Sequence, residues 1–187
     1  MEQWHCRFAT LKDAEALITL QEDCTHKLGG EFYNGSQIDS FLREIGTLDL
    51  NLIHHRTYYV VEQEGEIVGS GGWSDRPAPF EKFHCNVGSP DRQPRIMAVF
   101  VRPGHTRRGI GRAVIAQAED EIRQRGYNRV ELTAMLSGVC FYSSLGYRIT
   151  GNATVELSNG VLLPTVEMVK DLDLSRRETL PERWDLS

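Results

Sequence analysis

The 187-residue sequence has no long hydrophobic run. Its longest uninterrupted apolar stretch is six residues, at positions 96–101, whereas a membrane-spanning helix needs about 20. The first ten residues, MEQWHCRFAT, also lack the charged-then-apolar pattern of a secretory signal. We therefore expect a cytoplasmic protein that does not engage a membrane.

Cysteine is scarce and scattered. The four cysteines, Cys6, Cys24, Cys85 and Cys140, form no CxxC pair and have no histidine nearby at metal-binding spacing. This pattern favours reduced thiols in a cytoplasmic protein over disulfides or a zinc site. We predict no metal centre.

The chain has no excess of positive charge. Its formal charge is −5, from 21 basic and 26 acidic residues, and general nucleic-acid binding usually needs a basic face. We therefore predict no nucleic-acid partner. Arginine is nevertheless concentrated in one place, because Arg102, Arg107, Arg108 and Arg112 fall within eleven residues, joined by His105 and by no acid. Such a cluster indicates a local site for an anion.

Composition and periodicity predict one mixed α/β domain. Hydrophobic residues make up 40% and charged residues 25%, which is ordinary for a globular chain and excludes wholesale disorder. The order of elements predicts a central sheet flanked by helices, with the domain at residues 1–170 and an unassigned tail at 171–187. The predicted strands are 4–8, 57–63, 67–73, 96–101, 128–134, 147–157 and 161–170, and the predicted helices begin after Thr10, span 36–45, run from Ile110 to Gly126, and span 138–145.

A glycine- and arginine-rich loop separates the most apolar strand from the long helix. Free N–H groups at a helix start favour phosphate, and the glycines Gly109 and Gly111 let a phosphate approach the main chain. The spacing is neither the P-loop nor the dinucleotide fingerprint, since Val114 stands where the latter needs glycine. The loop by itself fits a pyrophosphate cradle or a plain tight turn with solvated arginines.

A second pattern, FYSSLGY at residues 141–147, begins thirty residues beyond Gly111. In combination with the loop it resembles the GNAT superfamily of N-acetyltransferases over residues 4–170. RFATLKDAEAL is similar to that family's first strand and helix, VFVRPGHTRRGIGRAVI to its acetyl-CoA motif, and CFYSSLGY to its carboxyl-terminal signature. The resemblance implies a twisted, mostly antiparallel sheet flanked by helices, and acetyl-CoA as cosubstrate without a metal.

The resemblance also implies roles for individual residues. A bulge near Val99 and Val101 would leave backbone groups free for the pantetheine arm, and Tyr142 would protonate the departing thiolate. Thr106 stands where the family usually has arginine or glutamine, so a neighbouring arginine would supply that charge. The residues implied in cofactor binding are Val99, Phe100, Val101, Thr106, Arg107, Arg108, Gly109, Ile110, Gly111, Arg112, Ser137 and Phe141.

The catalytic base is sought in the loop at 75–94, which holds four of the seven prolines and no regular period. An amine with a pKa near 10 is mostly protonated at neutral pH, so some group must take its proton. Glu81 and His84 are our candidates because two phenylalanines flank them and would fold the loop over the site. The other candidates in the loop are Asp75 and Asp91.

The implied activity is acetyl transfer to a primary amine of a small molecule or peptide. Two alternatives stay open at this point: an inactive CoA-binding sensor of the same fold, and an acyltransferase that uses another acyl-CoA. A homodimer also stays open, since family members are often dimers.

Overall fold

The computed structural model describes residues 4–45, 48–76, 93–173 and 184–185. Its centre is a mixed β-sheet of eight strands. The order across the sheet is β6-β7-β5-β4-β3-β2-β1-β8. Neighbouring strands are antiparallel except at the β4–β5 and β1–β8 pairs, which are parallel. The strands are β1 (His5–Phe8), β2 (Tyr58–Gln63), β3 (Glu66–Ser74), β4 (Arg95–Val101), β5 (Arg129–Met135), β6 (Arg148–Glu156), β7 (Leu162–Asp171) and β8 (Trp184–Asp185).

Five α-helices accompany these strands in the described ranges. They are α1 (Ala14–Gly29), α2 (Gly35–Glu44), α3 (Leu50–His54), α4 (Ile110–Gln124) and α5 (Val139–Ser144). The sequence predicted four of them and missed α3, which is too short to show a helical period. Its start is nevertheless marked by Asp49, whose carboxylate accepts a hydrogen bond from the Asn51 backbone N–H at 2.9 Å.

The two faces of the sheet carry separate cores. On one face α4 and α5 pack over β3, β4 and β5, and Val99 and Val101 of β4 point to this side. On the other face α1 and α3 pack, and Met97 and Phe100 of β4 point to them. Residues 97 and 99 of a regular strand would share a face, so β4 must be irregular between them.

Glycines of β3 let α4 approach the sheet closely. A Cβ added at Gly69 would lie 2.5 Å from Cγ2 of Ile110, and one added at Gly71 would lie 2.4 Å from Cγ1 of Val114. Both distances are too short for real atoms. The first two turns of α4 therefore rest on the bare backbone of β3.

The β6–β7 hairpin packs against α2 through a third apolar cluster. Tyr33, just before α2, ties the two together, since its hydroxyl donates to the Pro164 carbonyl at 2.7 Å and accepts from the Leu136 N–H at 2.9 Å. At the opposite edge, residues 184–185 pair with β1 although the sequence left them unassigned. Of the described helices, none has both the length and the apolar character needed to cross a bilayer.

Candidate active site

The parallel strands β4 and β5 diverge and leave a wedge-shaped gap between them, which we call the wedge. β4 and β5 pair only at Arg95 and Glu131, and from there to Val101 the edge of β4 has no ladder partner among the described strands. Arg95 holds the closed end together, because its guanidinium contacts Glu131 at 3.3 Å and Glu167 of β7 at 3.0 Å. Beyond this point β4 and β5 no longer pair.

A β-bulge lies where the wedge opens. Ser70 of β3 pairs with Phe100 and Gly72 with Met97, so one residue of β3 faces two of β4. Ala98 occupies the left-handed region with φ 52°, which is strained for a residue with a Cβ. Its carbonyl accepts from Oγ of Ser70 at 3.3 Å. The bulge implied by the family resemblance is present, centred on Ala98.

The loop after β4 turns sharply into α4. Arg107 and Gly109 both have positive φ, of 64° and 85°, and Gly109 is the N-cap of the helix. Gly111 serves packing, since a Cβ there would lie 3.0 Å from Cζ of Phe141. Glycine is therefore required at position 109 by the left-handed turn and at position 111 by the close contact with Phe141. The exposed Arg107, Arg108 and Arg112 surround the helix start.

A cavity of about 1080 Å³ lies in the wedge between β4 and β5. Arg108 does not line it, whereas all the other residues predicted to bind the cofactor do. Those lining residues are Val99, Phe100, Val101, Thr106, Arg107, Gly109, Ile110, Gly111, Arg112, Ser137 and Phe141.

Tyr142 also lines this cavity. Its ring packs on Phe141, with centroids 5.1 Å apart, and edge-on against Tyr147 at 5.8 Å. Tyr147 is itself fixed, since its hydroxyl donates to the buried Glu119 at 2.9 Å, and Lys170 donates to the same carboxylate at 2.7 Å. Burial raises the pKa of Tyr142 above its ordinary value, so the phenol keeps its proton. Its hydroxyl has no hydrogen-bond partner within the described ranges.

The two predicted bases, Glu81 and His84, lie outside the described residues, as does Asp91. Asp75, the remaining candidate, is described and does not line the cavity. Its carboxylate accepts from the Tyr127 hydroxyl at 3.2 Å and lies 3.9 Å from the Arg125 guanidinium. This position favours a structural role for Asp75.

Sequence reasoning missed a buried polar chain on the α1 side of the cavity. Gln21 donates from Nε2 to the Tyr58 hydroxyl at 3.3 Å, and that hydroxyl lies 3.2 Å from Oγ of Ser70, which bonds the bulge carbonyl. Oε1 of Gln21 and Oγ1 of Thr25 are buried and have no hydrogen-bond partner among the described residues. The available signal was local, because Gln21 interrupts the apolar stripe of α1.

The described cysteines are free thiols. Cys24, on α1, donates to the Val101 carbonyl at 3.2 Å, and burial raises its pKa to about 12. Within the described ranges no group of three histidine, cysteine or carboxylate side chains is placed to hold a metal ion.

The bulged central strand, its diverging neighbour and the glycine turn at a helix start are the features that the family resemblance implies. The chain belongs to the GNAT acetyltransferase family, whose model matches residues 15–147. The predicted family is thus confirmed. No curated protein sequence matches this chain significantly.

Solved structures share the fold at low sequence identity. A GCN5-related N-acetyltransferase from Rhodopseudomonas palustris is 20% identical with a TM-score of 0.71, covering 92% of this chain and 98% of its own. PaiA N-acetyltransferase from Thermoplasma acidophilum, in complex with coenzyme A, is 14% identical with a TM-score of 0.62, covering 90% and 99%. YncA from Salmonella typhimurium, with its cofactor acetyl-CoA, is 18% identical with a TM-score of 0.60, covering 96% and 98%. The predicted fold class is confirmed.

Proposed function

We propose that this protein transfers the acetyl group of acetyl-CoA to a primary amine by direct attack, with Tyr142 as the general acid. The observation that carries the proposal is the unpaired edge of β4, which lines one cavity together with Tyr142. Membership of the family supports acetyl transfer. The CoA and acetyl-CoA complexes of the Thermoplasma and Salmonella proteins support a CoA-type donor.

In this proposal the donor lies along the wedge. The pantetheine arm pairs with β4 near Val99 and Val101, on the edge that has no strand partner in the described ranges, as an added strand would. The pyrophosphate sits at the start of α4, where unpaired N–H groups and the helix dipole favour an anion. Thr106 and the exposed Arg107 and Arg112 line the cavity there and supply a hydroxyl and positive charge. The other proposed contacts are Phe100, Arg108, Gly109, Ile110, Gly111, Ser137 and Phe141.

The chemistry follows from the ordinary pKa values of the groups. The amine attacks the thioester carbonyl, and a backbone N–H at the bulge stabilises the oxyanion. Collapse expels the CoA thiolate, which leaves readily because its conjugate thiol has a pKa of about 8.5. Tyr142 protonates the sulfur, and the burial that raises its pKa keeps it protonated beforehand. Glu81 and His84 stay our predictions for the group that accepts the amine's proton.

Two departures from the family pattern favour a second candidate function. Thr106 replaces the usual cation or amide, and Arg107 takes a left-handed conformation where glycine is common. If these changes let the donor bind in a position that does not react, the protein would be a CoA-binding sensor. An acyltransferase that uses another acyl-CoA stays a separate alternative, because the phosphates at this loop are common to all acyl-CoAs. The cytoplasmic location, the domain limit at residue 170 and a homodimer also stay predictions.

Release of free CoA thiol from acetyl-CoA, measured over a panel of primary amines, tests the proposal. We expect thiol release that depends on amine, and acetyl-CoA should raise the melting temperature. Parallel reactions with propionyl- and succinyl-CoA define the acyl preference. A raised melting temperature without release from any donor would overturn the enzyme proposal in favour of the sensor.

A further inference from the structure

The face of the cavity opposite the phosphate loop is apolar and partly open. α1, the turn after it, α2, β4 and the β6–β7 hairpin contribute Leu28, Phe32, Phe41, Met97, Val155 and Leu163. Two of these large side chains remain exposed, Leu28 by 39% and Phe32 by 48%. Exposed apolar surface that lines a cavity is available for an apolar ligand.

Two buried polar atoms on this face, Oε1 of Gln21 and Oγ1 of Thr25, have no hydrogen-bond partner in the part of the chain that the structure describes. Gln21 and Thr25 lie one helical turn apart on α1 and are only 2% and 3% exposed. Because the amide NH₂ of Gln21 donates to the Tyr58 hydroxyl, the unpartnered atom of this side chain is the carbonyl oxygen Oε1, which is a hydrogen-bond acceptor. A buried polar atom without a partner lowers the stability of the fold. Both residues line the cavity, so a ligand N–H that reaches these atoms after a rotation of the two side chains would satisfy them.

The charges around the cavity are divided between its two ends. Arg107 and Arg112 line the phosphate-loop end, whereas the carboxylates Glu31 and Asp49 line the α1 side. Within the described ranges Glu31 forms no ion pair. Arg95, the basic residue deeper in the wedge, is already paired with two glutamates. Among the described lining residues, a ligand carboxylate on the α1 side would therefore meet negative charge and no unpaired arginine or lysine.

We propose that the acceptor is a primary amine on an apolar body, with no carboxylate beside the amine; this rests on the proposed function. Its N–H groups donate to Oε1 of Gln21 and Oγ1 of Thr25, and its body runs toward Leu28 and Phe32. The helical rise from Gln21 to Leu28 is about 10 Å, which suits an arylalkylamine or a peptide amino terminus with a large apolar first residue. The amide C–N bond forms as the thioester C–S bond breaks. Of the two protons that the ammonium loses, one ends on the CoA sulfur and one in solvent.

A matched series of acceptors tests the amine class: phenethylamine, phenylalanine, phenylalanine amide, a Phe-initiated tripeptide and the diamine putrescine. We expect kcat/KM for phenethylamine and the amide to exceed that for phenylalanine by roughly tenfold or more. The putrescine value should fall below the phenethylamine value for lack of an apolar body. The tripeptide and phenethylamine distinguish a peptide amino terminus from a small arylalkylamine as the acceptor. The compound that resembles the true acceptor should give the higher kcat/KM. Equal or better use of phenylalanine or putrescine would overturn the proposal.

The same compounds separate this inference from the proposed function. If no amine releases thiol, the proposed function fails, and calorimetry of amine binding to the protein–CoA mixture then decides the inference. Phenethylamine should bind at least tenfold more tightly than phenylalanine. Equal binding of the two, or no binding of phenethylamine, would contradict the inference.

Two variants locate the amine. Thr25→Val removes a buried hydroxyl without a partner, so we expect unchanged or higher stability, a rise of roughly 2–10-fold in KM for phenethylamine, and unchanged KM for acetyl-CoA. Phe32→Ala should raise KM for phenethylamine and leave KM for ethylamine unchanged. Ile18→Ala is the matched control, since Ile18 lies on α1, is 44% exposed and does not line the cavity. Unchanged KM in both site variants would refute the placement.

Discussion

Replacing Tyr142 with phenylalanine separates catalysis from folding. The hydroxyl has no partner within the described ranges, and the ring contacts to Phe141 and Tyr147, at 5.1 and 5.8 Å, do not need it. The free energy of unfolding should therefore change by less than about 1 kcal/mol. Loss of a general acid should lower kcat by roughly 10²–10⁴, which is about 3–5 kcal/mol of barrier. The Kd of acetyl-CoA should stay within about threefold, since proton donation contributes nothing to ground-state binding.

Tyr147→Phe is the matched control with the opposite expected outcome. It keeps the edge contact to Tyr142 but removes the hydrogen bond to the buried Glu119. Because that bond is to a charged group, its loss should lower the free energy of unfolding by roughly 1.5–3 kcal/mol and leave kcat within severalfold. Denaturant unfolding and steady-state thiol release measure the two quantities.

The pH dependence of turnover gives an independent check on the same tyrosine. The protonated phenol is the active form, and burial raises its pKa, so no alkaline loss from Tyr142 should occur below about pH 10. The general-acid assignment is refuted if Tyr142→Phe keeps wild-type turnover. It is also refuted if both variants lose stability and turnover in parallel.

Three further predictions address the cofactor site and the scaffold. Gly109→Val with Gly111→Val should raise the acetyl-CoA Kd at least roughly 100-fold by calorimetry. Gly109 has a left-handed backbone, and a Cβ at Gly111 would lie 3.0 Å from the Phe141 ring; retained affinity would contradict the phosphate site. Gly71→Ala should lower the free energy of unfolding by roughly 1–3 kcal/mol, because the added methyl group overpacks against Val114. The double variant Gly71→Ala with Val114→Ala should lose less stability than the sum of the two single variants. Strict additivity would refute the close approach of α4. The Arg7 guanidinium of β1 donates to the Asp13 carboxylate at 2.8 Å and lowers the pKa of that carboxyl below its ordinary value. Asp13→Asn should therefore lower the free energy of unfolding by roughly 1.5–3 kcal/mol at pH 7. That stability is present above the ordinary pKa and is lost as pH falls through the lower, folded value, so chemical unfolding should show the two proteins converging in acid. A difference that persists there would count against the ion pair.

The family and most helices and strands could be predicted because their signals are local. Apolar periodicity marked the strands and α4, and the spacing from Gly111 to the FYSSLGY pattern is specific. α3 could not be predicted because five residues are too few for a period. The close packing of Gly71 against Val114 was also unpredictable, since it joins a strand and a helix far apart in the chain.

The cofactor end and the acceptor end of the candidate site differ in how much of each could be predicted from the sequence. Most of its cofactor end is one continuous segment, residues 99–112, where glycine and arginine indicate an anion by themselves. The acceptor end is assembled from α1, α2 and the β6–β7 hairpin, so its shape depends on the fold. Gln21 was the one local signal there that we have identified, because a polar residue in an apolar stripe needs a partner.

Transfer of an isotopically labelled acetyl group from acetyl-CoA to phenethylamine, followed by mass spectrometry, tests the central claim most directly. The account predicts labelled amide and free CoA in equal amounts, with the rate reduced roughly 10²–10⁴ in Tyr142→Phe. Acetyl-CoA that binds the protein but transfers no label to phenethylamine or to any amine of the panel would contradict it.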